Sequence, residues 1–538
     1  MAVQWTKEQQ QVISLRDRNI LVSAAAGSGK TAVLVERILS MILQEENPID
    51  VDKLLVVTFT RAAAGEMKER IQAAIEQKLA EDPDNEHLQR QGALIAHAQI
   101  NTIDGFCSYV VRNYFHTISL DPAFRMMDEG EGKLMKADVV QKLLEDAYEK
   151  ADPEFLRFVE CYASGKSDEK LEDLILSLYE FSMSYPFPKD WLAGCRSVYE
   201  ETDTQKIQDS AWMEKMWKYS ESTLRAARET TEAAIEAASS PDGPYMYLPM
   251  LEDDLRILDE LSAERDYDRA CLLYRQIKFQ RISAKKDSAV SDRKREQVKA
   301  MRDSVKELVK ELKEQYYQYS LDEIREQLAA CRVPVRQLTL LAEQFIDAFA
   351  AKKREKNLLD FADLEHFALE ILVRKQEDGS LLRTEAAKEL AAGFAEIMID
   401  EYQDSNYVQE MLLTSVSGLE DGRYNIFMVG DVKQSIYRFR QARPELFLEK
   451  YASYSAQDSR TQRIDLHRNF RSRAQVLSGA NYIFRQIMTP DLGGISYDDA
   501  AALYPGAEYP PETADTPTEL LLLEKDTPAL EDLKGQES

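Results

Sequence analysis

The sequence predicts an α/β fold, a parallel sheet interrupted by a long all-helical insertion, and three observations predict it. Toward the N-terminus, short runs rich in Val, Ile and Leu alternate with helical stretches. Residues 129–354 are rich in Glu, Lys, Leu and Ala and show almost no strand-like alternation. Two more apolar runs then follow, each ending in an acidic or glycine-containing turn.

Taken in order, residues 19–23 and 54–58 read as buried strands, being apolar and bounded by polar or small residues. Residues 31–41 and 62–78 read as the helices that follow them. Strand, helix, strand, helix implies right-handed crossovers and a parallel sheet covered on both faces. The insertion contains a long charged segment at 298–317 with apolar residues at helical intervals, and breaks at 185–188 and 239–244 where Pro, Gly and Ser cluster. Strands return at 396–400 (EIMID) and 425–430 (NIFMVG), which places the turns after them at the carboxyl edge of the sheet, where ligands bind in open parallel sheets. Residues 504–538, rich in Pro, Glu, Asp and Thr, read as a mostly unstructured acidic segment apart from a strand-like 519–523.

At 538 residues the chain predicts two to four domains. The composition, 44% hydrophobic and 30% charged, is that of a soluble globular protein. No apolar run approaches the roughly 20 residues that span a bilayer, and the N-terminus lacks a secretory apolar stretch. Five scattered cysteines without a Cys-x-x-Cys pair fit reduced thiols in a cytoplasmic protein. A net charge of −27 counts against a nucleic-acid partner as a whole-chain average. A single positive groove would still suffice.

The clearest chemistry is Ala24-Ala25-Ala26-Gly27-Ser28-Gly29-Lys30-Thr31, which follows the first strand and opens a helix. That context is what a phosphate-binding loop requires. Its glycines let backbone N–H groups face phosphate oxygens, Lys30 reaches the outer phosphates, and the Thr31 hydroxyl is a magnesium ligand. Ala24 stands where the pattern usually begins with glycine; the alternative is a simple Gly-Ser-Gly turn. Asp400 and Glu401 end the third expected strand and can divide the labour, Asp400 holding magnesium and Glu401 orienting or deprotonating the attacking water. Gln434 is a candidate reader of the terminal phosphate. Tyr437 and Phe439 alternate with Arg438 and Arg440, a pattern suited to stacking on bases and pairing with phosphates, although such aromatics are more often core.

Together these segments resemble superfamily 1 DNA helicases of the UvrD/RecB type, and more narrowly one chain of the bacterial ATP-dependent helicase–nucleases, the AddA or RexA family. Trp5, Thr6 and Gln9 resemble that family's adenine-reading motif. Residues 24–37 (AAAGSGKTAVLVER) resemble motif I, 54–70 (LLVVTFTRAAAGEMKER) motif Ia, 429–447 (VGDVKQSIYRFRQARPELF) motif III, and 469–472 (NFRS) motif IV. Residues 359–364 (LDFADL) are similar to the segment that returns the chain to the motor domain. Val432 and Lys433 stand where plain repair helicases typically carry two acids, which favours the helicase–nuclease branch. Three departures stand out. Arg61 replaces a common Asn, Asp104 and Gly105 replace the His-Ser of Thr-x-His-Ser-Phe, and no motif V, motif VI or nuclease signature follows motif IV.

The resemblance implies a RecA-like motor domain at 1–128 and 355–455, the helical insertion at 129–354, and the beginning of a second RecA-like domain at 456–538. It implies ATP and Mg2+ as cofactors, with ATP held by Gln9, residues 24–31 and Phe470, and the metal by Thr31 and Asp400. The chemistry would rest on Lys30, Asp400, Glu401, Gln434 and Arg471, with Gln403 and Gln434 coupling phosphate state to movement. DNA would lie on Phe59, Thr60, Arg61, Phe106, Tyr437, Phe439 and Arg440, with Phe59, Phe106 and Phe439 stacking bases in turn. The implied partners are single- and double-stranded DNA and, in a heterodimer, a nuclease chain of the AddB/RexB type. The implied role is double-strand-break processing for recombinational repair. The basic stretch 285–310 is either a duplex contact or a solvated helix with paired charges. Because the later motifs are missing, the chain is expected to be an N-terminal portion without full ATPase or nuclease activity of its own. The alternatives are a repair helicase without nuclease and a module that binds DNA or a partner without turnover.

Overall fold

The computed structural model describes residues 4–44, 46–163, 167–285, 287–510 and 518–521, without the side chains of Arg440 and Asp491. The chain divides into two compact units, one formed by residues 1–127, 184–186 and 357–538, the other by 128–183 and 187–356.

The first unit is built on a six-stranded sheet of β1 (Asn19–Ala24), β2 (Leu54–Thr58), β3 (Gln99–Thr102), β4 (Glu396–Ile399), β5 (Ile426–Gly430) and β6 (Thr461–Leu466). All neighbours are parallel, in the order β6-β1-β5-β4-β2-β3. The four central strands are apolar on both faces because both are covered. Leu21, Leu55, Val57, Ile397, Ile399 and Met428 enter one core cluster, whereas their strand neighbours Ile20, Val22, Val56, Met398, Phe427 and Val429 enter the other. Helices α1 (Lys7–Ser14), α2 (Lys30–Ile42), α3 (Arg61–Glu81), α4 (Ile103–Tyr114), α5 (Phe361–Leu372), α6 (Tyr407–Ser415) and α7 (Pro444–Ser453) are the main helices of this unit that precede β6, and α8 (Ala474–Ile487) follows the sheet.

Two strands of this sheet are not among those the sequence predicts. They are β3 and β6, the two edges of the sheet, and the polar residues tolerated at an edge hide them: QINT and TQRIDL, the latter with strictly alternating burial. Because β6 pairs with β1 from Asn19↔Thr461 to Ala24↔Leu466, these residues belong to the first sheet, and the boundary expected at 456 places them in the wrong domain. The segment after residue 504 also departs from expectation. A two-residue strand β8 (Tyr504–Pro505) pairs in parallel with β7 (Arg468–Asn469). Of the strand-like 519–523, residues 519–521 form no strand and 522–523 lie outside the described residues.

The second unit is helical. Its longest helix, Leu321–Glu355, opens with a capping box between Ser320 and Glu323. Arg302 and Asp254 are both buried and paired, with Arg302 Nη2 3.0 Å from Asp254 Oδ1. Along Asp292–Tyr316, Arg295, Lys299, Lys306 and Lys310 each pair with an acid three residues earlier. Such pairs on a helix surface add little stability. Among the described residues no helix is long and apolar enough to cross a membrane.

One buried ion pair joins the halves of the first unit. Arg37 on α2, 1% exposed, donates from Nε to Glu396 Oε1 on β4 at 2.8 Å, donates to the Val12 carbonyl, and lies over the Phe427 ring. Removing one partner of such a pair strands a buried charge. Arg37→Met is therefore expected to cost about 3–5 kcal/mol by urea unfolding, and Arg37→Met with Glu396→Leu to recover most of it. Equal losses in the single and double variants would show that the pair does not hold this junction.

Candidate nucleotide and nucleic-acid site

The carboxyl ends of the strands converge on one edge, and the site is assembled there. Residues 24–29 leave β1 and turn into α2, with Ser28 N–H donating to the Ala25 carbonyl. Gly27 and Gly29 have φ of 71° and 82°, a region glycine enters without penalty. Gly27 is required twice, since a Cβ there would lie 2.7 Å from Asn469 Nδ2 and 2.8 Å from Arg471 Cβ. Asn469 Nδ2 donates to the Ala26 carbonyl at 2.6 Å and Phe470 N–H to the Gly27 carbonyl at 2.8 Å, so the NFRS segment is docked on the loop.

Lys30 begins α2. Its ammonium contacts both Glu401 oxygens, at 3.0 and 3.3 Å. Glu401 has φ of 50°, an uncommon conformation for a residue with a side chain. Such strain clusters at functional sites. Here the turn immediately after β4 delivers the carboxylate to the lysine. Asp400 is half-buried beside it, and its carboxyl is pushed up to about 6 by burial and then by the Glu401 charge, with Lys30 and the Glu401 N–H opposing. Asp404 is likewise raised to about 6, first by burial and then by Glu401.

A bridge connects this group to the turn after β5. The buried Gln403 donates from Nε2 to Glu401 and Asp404, at 2.9 and 3.1 Å, and accepts from Asp431 N–H at 2.9 Å. Gly430 leaves room for it, since a Cβ there would lie 2.4 Å from Gln403 Oε1. Gln434 donates to Asp431 Oδ2, and Lys433 pairs with Asp431 Oδ1, each at 2.9 Å. Nothing in the sequence marks Asp431 as the hub of this turn.

Beside the loop lies a cavity of about 440 Å³ lined by Thr6, Glu8, Gln9, Ser28, residues 465–468, Phe470, Tyr504 and Pro505. Gln9, placed by the capping box that starts α1, donates from Nε2 to the Ser28 carbonyl at 3.0 Å. The Ser28 hydroxyl and Asp465 Oδ1 are buried without a partner among the described residues. Orphaned polar atoms in a loop and cavity of this shape fit a nucleotide. Thr31 and Asp400 are the oxygen donors a hard cation prefers.

The expected DNA-binding residues separate. Phe59, after β2, and Tyr437 pack with ring centroids 4.6 Å apart; Tyr437 and Phe439 follow at 5.8 Å, and Phe439 is 73% exposed. Thr60 caps α3 and, with Arg61, is exposed. The side chain of Arg440 lies outside the described residues. Phe106 is not a base-stacking residue. It is fully buried on the apolar face of α4 with Cys107, Val110 and Val111, and packs against Phe394. Helical periodicity turned it inward, whereas Phe439 lies on a short turn without a core beneath it.

Comparison with known proteins agrees with this geometry. The family model for the UvrD/REP helicase N-terminal domain matches residues 5–455. The chain is 48% identical over 535 residues to the A chain of an ATP-dependent helicase/nuclease from Lachnoclostridium phytofermentans, covering 97% of this chain and 39% of that protein. Proteins of the same name from Clostridium botulinum and Bacillus pumilus are 43% and 40% identical, covering 94% and 97% of this chain and 41% and 42% of theirs. The chain thus spans about two fifths of the length of these relatives.

Glu365 on α5 accepts from Gln409 Nε2 on α6 at 2.8 Å, and its carboxyl is raised from 4.5 to about 7. Burial is the main cause, with the Asp104 charge adding to it and Gln409 and Asn406 opposing. A raised carboxyl stabilises the fold while it is protonated. That contribution is full below 4.5 and is lost as pH rises through about 7. The melting temperature of the parent chain should therefore fall more steeply between about pH 5 and 8 than that of Glu365→Gln, whose neutral amide keeps the Gln409 contact. Parallel curves would remove Glu365 as the source.

Proposed function

Since the chain belongs to the UvrD/REP helicase N-terminal domain family, we propose that it is the ATP-driven, DNA-translocating part of a heterodimeric helicase–nuclease. The observation that carries this reading is the convergence of Lys30 on Glu401 across 371 residues of sequence, at the mouth of a glycine loop. An ion pair at that place leaves the lysine one exchange of partner away from a phosphate.

When Lys30 pairs with the outer phosphates, Glu401 is released to orient and deprotonate a water. Thr31 and Asp400 are the residues that would hold magnesium, and the bound ion supplies charge neutralisation on the phosphates. Asp400 serves in that role only as the carboxylate. Gln9 and Phe470 would hold the base, and Arg471, whose Cβ lies beside Gly27, would reach the terminal phosphate. Gln403 then has a mechanical part. It touches Glu401 on one side and Asp431 on the other, so a change at Glu401 reaches the turn that bears Gln434 and, three residues on, Tyr437.

Phe59, Tyr437 and Phe439 offer aromatic faces that bases of any sequence can use. Arg61 supplies charge beside Phe59, a local provision compatible with a chain of net charge −27. The relatives are named as one lettered component of a helicase/nuclease. That is the ground for proposing a heterodimer with a second, nuclease-bearing chain of the AddB/RexB type that processes DNA breaks for recombination. Within it, the second unit, residues 128–183 and 187–356, would be the helical insertion of the motor domain, and the residues after β6 would be the start of a second RecA-like domain.

Lys30→Ala should weaken ATP by about ten- to hundredfold, the loss of charged hydrogen bonds, in a fluorescent-nucleotide titration. Unchanged affinity would mean the loop is not the site. Phe439→Ala should cost roughly 1–3 kcal/mol of single-stranded DNA affinity at constant stability. Phe106→Ala should instead cost about 3–5 kcal/mol of folding stability. A stable Phe106→Ala with impaired DNA binding would reverse that assignment.

A further inference from the structure

The base end of the cavity has a wall that no motif accounts for. The segment Tyr504–Tyr509 follows α8 and comes back to lie along the NFRS strand. Tyr504 N–H donates to the His467 carbonyl at 3.1 Å and Gly506 N–H to the Asn469 carbonyl at 2.8 Å. Tyr509 Oη donates to the Phe470 carbonyl at 3.1 Å, and Arg473 lies over the Tyr509 ring. Phe470 is therefore held from both sides, its N–H on the phosphate loop at Gly27 and its carbonyl on Tyr509.

Gly506 sits directly against the Phe470 ring. A Cβ at Gly506 would lie 2.8, 2.9 and 3.0 Å from three of the ring carbons. The ring can occupy its place only because this residue has no side chain. Tyr504 and Pro505, immediately before it, line the same cavity as Gln9, Ser28 and Phe470.

We propose that Tyr504–Tyr509 is a positioning element of the nucleotide site, which seats the Phe470 ring on Gly506 and closes the base pocket with Tyr504 and Pro505. The ligand class is a nucleoside triphosphate with a planar purine base, and the proposal rests on the nucleotide reading above. The phosphate end is built from 24–31, 400 and 401, whereas this segment hydrogen-bonds to His467, Asn469 and Phe470. Base recognition and phosphate recognition are thus separable. Altering the segment selectively weakens the nucleoside end.

The test is competition against a fluorescent ATP analogue on the 538-residue chain, with ATP and inorganic tripolyphosphate as competitors and circular dichroism melts as the folding control. Gly506→Val should weaken ATP about tenfold, the loss of one base–aromatic stack, and leave tripolyphosphate unchanged. Tyr504→Ala should weaken ATP in the same selective way, and it keeps the proposal testable if Gly506→Val does not fold. Folded variants at both positions that bind ATP like the parent would overturn the proposal, as would equal losses for ATP and tripolyphosphate. The nucleotide reading fails differently: neither competitor would then act on the parent chain, or Lys30→Ala would leave both unaffected.

Discussion

The structure of the first unit depends on closing a sheet whose strands come from opposite ends of a long detour. Strands β1 to β3 precede the insertion, β4 to β6 follow it, and the central pairings β1–β5 and β2–β4 both cross that gap. The Arg37–Glu396 pair stands at this seam, its partners 359 positions apart in sequence. A buried guanidinium is tolerable only when each of its donors is met. Arg37 meets that demand with a carboxylate, a carbonyl and an aromatic face, drawn from β4, α1 and β5 respectively. A slip of β4 in the sheet would move Glu396 away from Arg37 and leave both charges buried without each other. Asn19 works at the same seam, its side-chain oxygen accepting the Ile426 N–H at 3.0 Å.

With the seam closed, the chemistry at the sheet edge follows from strand order. β5 lies between β1 and β4, so the phosphate loop and the acidic turn face each other across the Asp431 turn. Lys30 reaches Glu401 over that distance, and Gln403 fills the space beneath. Lys30–Glu401 is an arrangement with a ready exchange of partner. On the proposed reading, the carboxylate would serve as a base only once a phosphate took the lysine, and the resting pair would guard against unproductive water activation. A ligand shifts such an arrangement only through a difference in affinity between its two states, and the charge on the lysine supplies that difference.

Much of this was legible in the sequence, for a physical reason. Central strands buried on both faces are short apolar runs, and a glycine loop, a lysine and an acidic pair at strand ends have few other uses. What could not be read falls into two kinds. The edge strands β3 and β6 bury one face at most, so QINT and TQRIDL keep the polar character of loops. The second kind is direction. Phe106 and Phe439 each sit in a motif-like segment, yet α4 turns one into the core while a short turn presents the other to solvent. The apolar positions 106, 107, 110 and 111 do carry that signal, since they repeat at the period of a helix.

The tail of the described chain gives the same lesson in reverse. A composition of Pro, Glu, Asp and Thr reads as unstructured because it cannot bury much apolar surface by itself. Residues 504–509 are ordered by a different means. Their backbone pairs with a strand already in place, and their glycine fits where a ring comes closest. Such a segment contributes little core of its own. It acquires structure from the NFRS strand and in turn fixes how the Phe470 ring faces the cavity. Composition reports whether a segment can fold alone, and it is silent on whether a neighbour will fold it. Sites assembled from distant segments, as this base pocket is, are where those two questions differ most.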